Sequence, residues 1–287
     1  MSSTPDLAAR KVHFDQIIQQ IRDLPALPVI VQDLMKSLGP DELDINVIIR
    51  KVSLDQALTA KTIRFANSSF YGSQAKVTTI QQAITLIGID SVRHVVTATA
   101  MTGYFPQNGS GFDFVGLWRH AIGTAVCARV LARHLHVNQD YAFTAGLLHD
   151  IGRLVLITHF RREYEAVITY RNEHDCDWLV AEREMMGVDH VMTGEALAIH
   201  WNFSEAIQHA IAGHHDPESQ KNHSLAAIVH VANAIAHALD LSDQEDDLVP
   251  EVSTNAWHEL GLEQEVYLQI FRETELLFDE VSRVLLG

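Results

Sequence analysis

His149 and Asp150 stand side by side, and an imidazole next to a carboxylate is a pairing that can hold a metal ion. The chain has 17 histidines in 287 residues, and 14 of them lie between His120 and His237, so this window is where chemistry is sought. His120, Thr124, Cys127 and Leu131 recur at i, i+4, i+7 and i+11 and share one helical stripe. His230, Asn233 and His237 do the same at i, i+3 and i+7 on an Ala-rich segment. His149-Asp150 closes an apolar segment containing Phe143, Leu147 and Leu148, just ahead of Gly152. His190 falls near a helix start, and His214-His215-Asp216 follows a helix end. Neutral imidazoles with a carboxylate suit borderline divalent ions such as Mn, Fe, Co, Ni and Zn. Such an ion polarises a phosphoryl oxygen and draws the pKa of bound water toward neutrality. One such histidine would more often be a hydrogen-bonded core residue; the set as a whole points to a site.

Helices must position these groups. Pro is absent from Gln107 to Asp216, and apolar residues recur at three- and four-residue spacing with no long alternating run, which predicts an all-α fold. Ser53-Leu54-Asp55-Gln56 and Thr79-Ile80-Gln81-Gln82 have capping-box spacing, the first predicted to open a helix to about Ala66. Gly88 is placed to end the second helix, with a further one starting at Ser91. Asp177, Asp189, Ser204 and Ser224 read as N-caps, and Asp240 to Glu251 as an irregular loop. The segment from Gly103 to Gly116 holds four Gly with Pro, Asn and Ser and reads as a linker. It divides an N-terminal helical subdomain, residues 1–104, from a helical bundle with a C-terminal helical extension, residues 115–287.

Lys plus Arg number 21 against 37 Asp plus Glu, a formal charge of −16 that argues against an extended nucleic-acid or anionic-membrane surface. No apolar run approaches the roughly 20 residues needed to span a bilayer. The first residues lack a basic start and apolar core, so a soluble, cytoplasmic protein is expected. Cys127 and Cys176 match no disulfide framework or zinc-knuckle spacing. Between Asn222 and Phe271 there are nine carboxylates and no Lys or Arg, which reads as a solvated acidic face, with docking of a basic partner as the alternative.

His120 with His149-Asp150-Ile151-Gly152-Arg153 resembles the HD superfamily of metal-dependent phosphohydrolases, in which a first His, an adjacent His-Asp and a distant Asp converge on one or two metals. His190 and His214-His215 stand where binuclear members carry additional ligands. Leu24-Pro25-Ala26-Leu27-Pro28, the run Val52 to Lys61, Ala66-Asn67-Ser68-Ser69-Phe70-Tyr71-Gly72 and Gln82-Ala83-Ile84 before Ile87-Gly88 look like the HDOD domain, an HD-related output domain of bacterial signalling, over roughly Ile21 to Asp240. The resemblance implies an HD-type helical bundle with an N-terminal helical subdomain. The segment from Asn67 reads as a helix end and turn, with Asn67 capping and Phe70 and Tyr71, with Phe65, packed between the two parts; a ligand contact is the alternative.

The same resemblance implies a divalent transition metal (Mn, Fe, Ni or Zn), or none, at His120, His149, Asp150, His190, His214, His215 and the vestigial position Asn233. Asn233 stands where an active hydrolase carries Asp, and the loss of an anionic ligand weakens the hold on a cation. No Gly-Tyr-Pro follows His215, and Arg153 stands where the cyclic-dinucleotide phosphodiesterases usually carry Lys, with a planar fork for a phosphate contact in place of a point charge. The expectation is a signal-transduction output module with a degenerate metal site. It would act through signalling proteins such as response regulators or cyclic-dinucleotide enzymes, and not on nucleic acid or membrane. The alternatives are an active metal-dependent phosphohydrolase of nucleotides or cyclic nucleotides, and a sensor that binds without turnover.

Overall fold

The structure, a computed structural model, describes residues 11–24, 27, 29, 31–32, 45–68, 76–104, 112–220, 224–244 and 247–286. Every regular element among them is helical. The N-terminal part contains α1 (Phe14–Asp23), α2 (Ile45–Leu54), α3 (Gln56–Ala66) and the long α4 (Ile80–Tyr104). The bundle follows as α5 (Phe114–His134), α6 (Gln139–Leu148), α7 (Ile151–His159), α8 (Arg161–His174), α9 (Trp178–Met186), α10 (His190–His200), α11 (Glu205–Gly213) and α12 (Ser224–Ala238). Two more helices, α13 (Thr254–Leu260) and α14 (Gln264–Leu286), end the chain. No helix among the described residues is long and apolar enough to cross a membrane.

Local chemistry accounts for most boundaries, with two corrections. Asp55, not Ser53, caps α3: its carboxylate accepts from the Ala57 and Leu58 amides at 2.9 and 3.0 Å. Ser53 lies inside α2, because an apolar face with Ile48 and Val52 buried carries that helix through to Leu54. Ser224 is the first residue of α12 and not its cap. Thr79 does cap α4, its hydroxyl accepting from Gln82 N at 3.1 Å. Gly88 breaks α4 with φ 81° and ψ 161°, a conformation open essentially to Gly alone, after which the helix resumes. Asn67 ties α3 to the strand-like approach of α4: its side chain donates to Ile63 O and Val77 O and accepts from Val77 N.

The central helix is α5. It is buried on nearly every side because α6, α12 and α14 all pack on it. The N-terminal helices are fastened to this bundle. Val12 N donates to Met186 O at 2.8 Å, Lys61 Nζ reaches Leu285 O at 2.8 Å, and α14 contacts α3 and α4. Phe65 is fully buried, and one hydrophobic core contains residues from Val12 to Leu285. Phe70 and Tyr71, the other two expected interface residues, lie outside the described residues.

At Gly152, α7 packs backbone to backbone on α10. A Cβ on Gly152 would stand 2.0 Å from His190 O and 2.5 Å from Gly194 N, both backbone atoms that cannot rotate away. Gly152→Ala should therefore cost at least about 1–3 kcal/mol of unfolding free energy in urea melts, the penalty of overpacking. Gly103→Ala, on an open helical position with nothing within 4 Å, should be neutral or gain up to about 1 kcal/mol.

Candidate metal centre

Chain geometry delivers the site residues from helix ends as well as helix faces. His120 points inward from the middle of α5. His149 and Asp150 form the corner between α6 and α7, and both are buried. His190 opens α10, where Asp189 caps the helix by accepting from Met192 N at 2.8 Å. His214 and His215 follow the last turn of α11, and Asn233 comes from α12.

The structure brings all seven together around one carboxylate. Asp150 Oδ1 lies 3.7 Å from His149 Nε2, 3.4 Å from His190 Nε2 and 3.5 Å from His214 Nε2. His190 Nε2 is also 3.3 Å from His214 Nε2 and 3.1 Å from His215 Nε2. On the other flank, His120 Nε2 stands 3.3 Å from His149 Nε2 and 2.8 Å from Asn233 Oδ1.

The Nε2 atoms of His149, His190 and His214 face one another as acceptors. His149 and His214 use the same device: each Nδ1–H donates, at 2.7 Å, to the carbonyl three residues back, Gly146 O and Ile211 O. His190 Nδ1–H donates to Glu182 Oε2 at 2.6 Å. In the neutral imidazole the opposite nitrogen is then a lone pair, so three Nε2 lone pairs converge on an anionic oxygen. That arrangement repels itself unless positive charge lies between the atoms. A bound cation supplies it, and ligands about 2.1 Å from one ion sit roughly 3.0–3.4 Å apart at octahedral or tetrahedral angles. The observed separations of 3.1–3.5 Å match. Anchoring of the far imidazole nitrogen to a carbonyl or carboxylate is also the usual support of metal-bound histidine. The donor set therefore fits a borderline divalent ion.

Burial keeps most of these rings neutral. Burial pushes His149 down to about 4 and holds His120 and His215 well below the usual imidazole range, so these rings stay neutral near neutrality. Burial also lowers His190, but the Glu182 and Asp150 carboxylates outweigh it and its pKa is raised. Burial alone would raise Asp150; His149, His190 and Arg153 reverse that and hold it well below the ordinary carboxylate range.

A chain of hydrogen bonds links Asp150 to His190. Arg153 Nη1 donates to Asp150 Oδ2 at 3.0 Å, and its Nε reaches Tyr164 OH at 3.4 Å. Tyr164 OH donates to Glu182 Oε1 at 2.8 Å, and the other oxygen of Glu182 holds both the backbone and ring N–H of His190. The Arg153 guanidinium lies 4.5 Å over the Trp178 ring. A cavity of about 30 Å³ opens beside this ring, lined by Asp150, Arg153, Trp178, His215, His237 and Asp247 among others.

Sequence reasoning missed Glu182, Tyr164 and Trp178, whose segments show only ordinary helical composition, and did not count His237 or Asp247 as site groups. His237 shares the Asn233 face one turn on, which was its available signal. Asp247 belongs to the acidic stretch expected to be solvated, yet it approaches His237 Nδ1 to 2.8 Å. His230, on the same stripe, is a strut: its Nδ1–H donates to His214 O at 2.8 Å and its Nε2 accepts from Ser253 N at 2.9 Å.

Residues 24–217 match the HDOD domain model, two thirds of the chain, and the chain belongs to the HDOD family. It superposes on the crystal structure of an HDOD domain protein from Geobacter sulfurreducens with a TM-score of 0.78, at 24% identity over 95% of this chain and 98% of that one. A signal transduction protein, so named provisionally, from Marinobacter aquaeolei VT8 gives a TM-score of 0.75 at 22% identity, over 96% of this chain and 66% of that one. These likenesses establish a shared fold. In sequence the chain is 25% identical to an uncharacterized protein of Treponema pallidum (strain Nichols) over 78% of its length and 44% of the relative's. It is 26% identical to ribonuclease Y of Lawsonia intracellularis (strain PHE/MN1-00) over 57% of its length and 27% of the relative's. The chain thus spans less than half the length of these curated relatives.

Two measurements follow from this geometry. In Glu182→Gln an amide N–H must face the Tyr164 hydroxyl or the His190 ring N–H, so the variant should lose about 2–3 kcal/mol of stability and about 10- to 100-fold in metal affinity. For pH, a folded imidazole pKa below the unfolded 6.5 means that the unfolded chain binds the proton first. The contribution of His149 is complete above about 6.5 and is lost as pH falls toward 4, about 3 kcal/mol in all. The raised pKa of His190 works the other way, but three lowered imidazoles outweigh one. The melting temperature of chelator-treated protein should therefore fall steadily from pH 7 to pH 4.5, and His149→Gln should flatten that slope.

Proposed function

We propose that this HDOD chain is a signalling output module whose HD-type site binds a divalent transition metal without efficient turnover, and that it acts by docking protein partners. The observation carrying this reading is the ring of imidazole lone pairs around Asp150 Oδ1, combined with Asn233 at the position of the distant carboxylate. His190, His214, His215 and Asp150 would hold one ion, and His120, His149 and Asp150 a second. Which of Mn, Fe, Ni or Zn is bound follows from availability more than from this donor set. When bound, such an ion polarises phosphoryl oxygens and activates water.

The chain's own groups are built for positioning. Arg153 orients Asp150 and stacks on Trp178, so two of its three nitrogens are already engaged before any phosphate arrives. Asn233 Oδ1 stands 2.8 Å from His120 Nε2 but brings no charge, leaving the His120–His149 half with the single carboxylate of Asp150. Family membership supports partners of the signalling kind, response regulators or cyclic-dinucleotide enzymes. The charge of −16 works against an RNA-binding face, so the ribonuclease activity of the longer relatives is not carried over. Phosphohydrolysis of a nucleotide is the second reading, favoured by the completeness of the Asp150, His190, His214 and His215 half.

Metal analysis of tag-free protein purified without chelator tests the first clause, with about stoichiometric transition metal expected. Asn233→Asp adds the missing carboxylate at nearly unchanged volume and should tighten Mn²⁺ binding in calorimetric titration. Equal affinity in both proteins would remove Asn233 from the site. Rapid hydrolysis of cyclic dinucleotides by the wild type would promote the second reading.

A further inference from the structure

Beyond the cluster around Asp150, a ligand atom from each of His120, His237 and Asp247 lies within 4.8 Å of the others. We propose that these three residues form a separate site for a borderline divalent cation, which supplies near His120 the carboxylate that Asn233 lacks. The inference rests on the metal reading above only through the shared ring of His120.

Three observations support it. First, His237 Nδ1 comes within 2.8 Å of Asp247 Oδ1 as an imidazole–carboxylate pair whose contact is bent away from the ideal N–H direction. Two polar atoms this close and not aimed at each other are arranged as neighbouring ligands aimed at a third point. Second, Asp247 is held as a ligand is held: Ser242 Oγ donates to its Oδ2 at 2.7 Å, leaving Oδ1 turned to His237. Third, the ring of His237 lies 4.2 Å from that of His120, whose Nδ1 is buried and unpartnered.

The donor set is two imidazoles and one carboxylate, the combination found with zinc in hydrolytic sites, where an open position remains. The fold explains the placement. His237 is one turn beyond Asn233 on α12, so both face α5, and Asp247 lies against His237. His237 and Asp247 both line the cavity next to Asp150, so an ion held there would be reachable from the same opening.

The test compares Zn²⁺ binding by the tag-free, chelator-stripped full chain in three variants: Asp247→Asn, His237→Gln and, at the main cluster, His214→Gln. Bound zinc per chain is read by elemental analysis after gel filtration, and affinity by calorimetry; circular dichroism checks folding. Asp247→Asn keeps the size of the side chain and the Ser242 bond, so it should fold even where His237→Gln does not. Both Asp247→Asn and His237→Gln should lose about one zinc per chain, or weaken one class of sites at least tenfold, while the ion dependent on His214 stays. Unchanged stoichiometry and affinity in Asp247→Asn would overturn the new site; if His214→Gln alone weakens binding, the main cluster stands without it. A wild type that binds no zinc would overturn both.

Discussion

A carboxylate removed from water must be compensated at close range, and the architecture around Asp150 follows from that requirement. Asp150 is 7% exposed, and its two oxygens face different partners. Oδ2 takes the Arg153 guanidinium, one turn along the same helix, at 3.0 Å. Oδ1 faces three imidazoles that come from the α6–α7 corner, the start of α10 and the end of α11. Leaving a buried charge uncompensated costs several kcal/mol; Arg153 compensates Oδ2, and at Oδ1 a cation held by imidazoles from helices distant in sequence would do the same.

Helix ends do much of this pinning. A carbonyl in the last turn of a helix has no intrahelical donor. At the ends of α6 and α11 that vacancy is filled by the histidine that follows, His149 or His214, whose ring is thereby fixed in tautomer and direction. One bond serves both purposes: it satisfies the helix and aims a lone pair at the site. The absence of a side chain at Gly152 lets α7 and α10 approach to backbone contact, which sets the distance from Asp150 to His190.

The site is rigid on one flank and poor in charge on the other. The hydrogen-bonded chain from Asp150 through Arg153, Tyr164 and Glu182 to His190 runs over five residues, all buried. Around His120 the structure offers Asn233, a neutral amide, and, one turn further along α12, His237 with Asp247. The two halves of the cluster are therefore unequal in nearby charge.

Helical class, the capping of α4 at Thr79, the break at Gly88 and the inward stripe of His120 and Asn233 were all determined by the sequence alone, because spacing, caps and glycine conformations are local properties. Family membership was likewise legible from short motifs in order. The choice between Ser53 and Asp55 as the cap of α3 was not, since both stand within two residues of the boundary and the burial of Val52 decided it. Nor could the sequence show that Glu182, in an ordinary helical segment, becomes the anchor of His190, or that Asp247 leaves an acidic loop to meet His237. Those pairings join residues from separate elements. A helical period specifies which face of a helix is buried, but only the packing of several helices decides which group from another element meets it there.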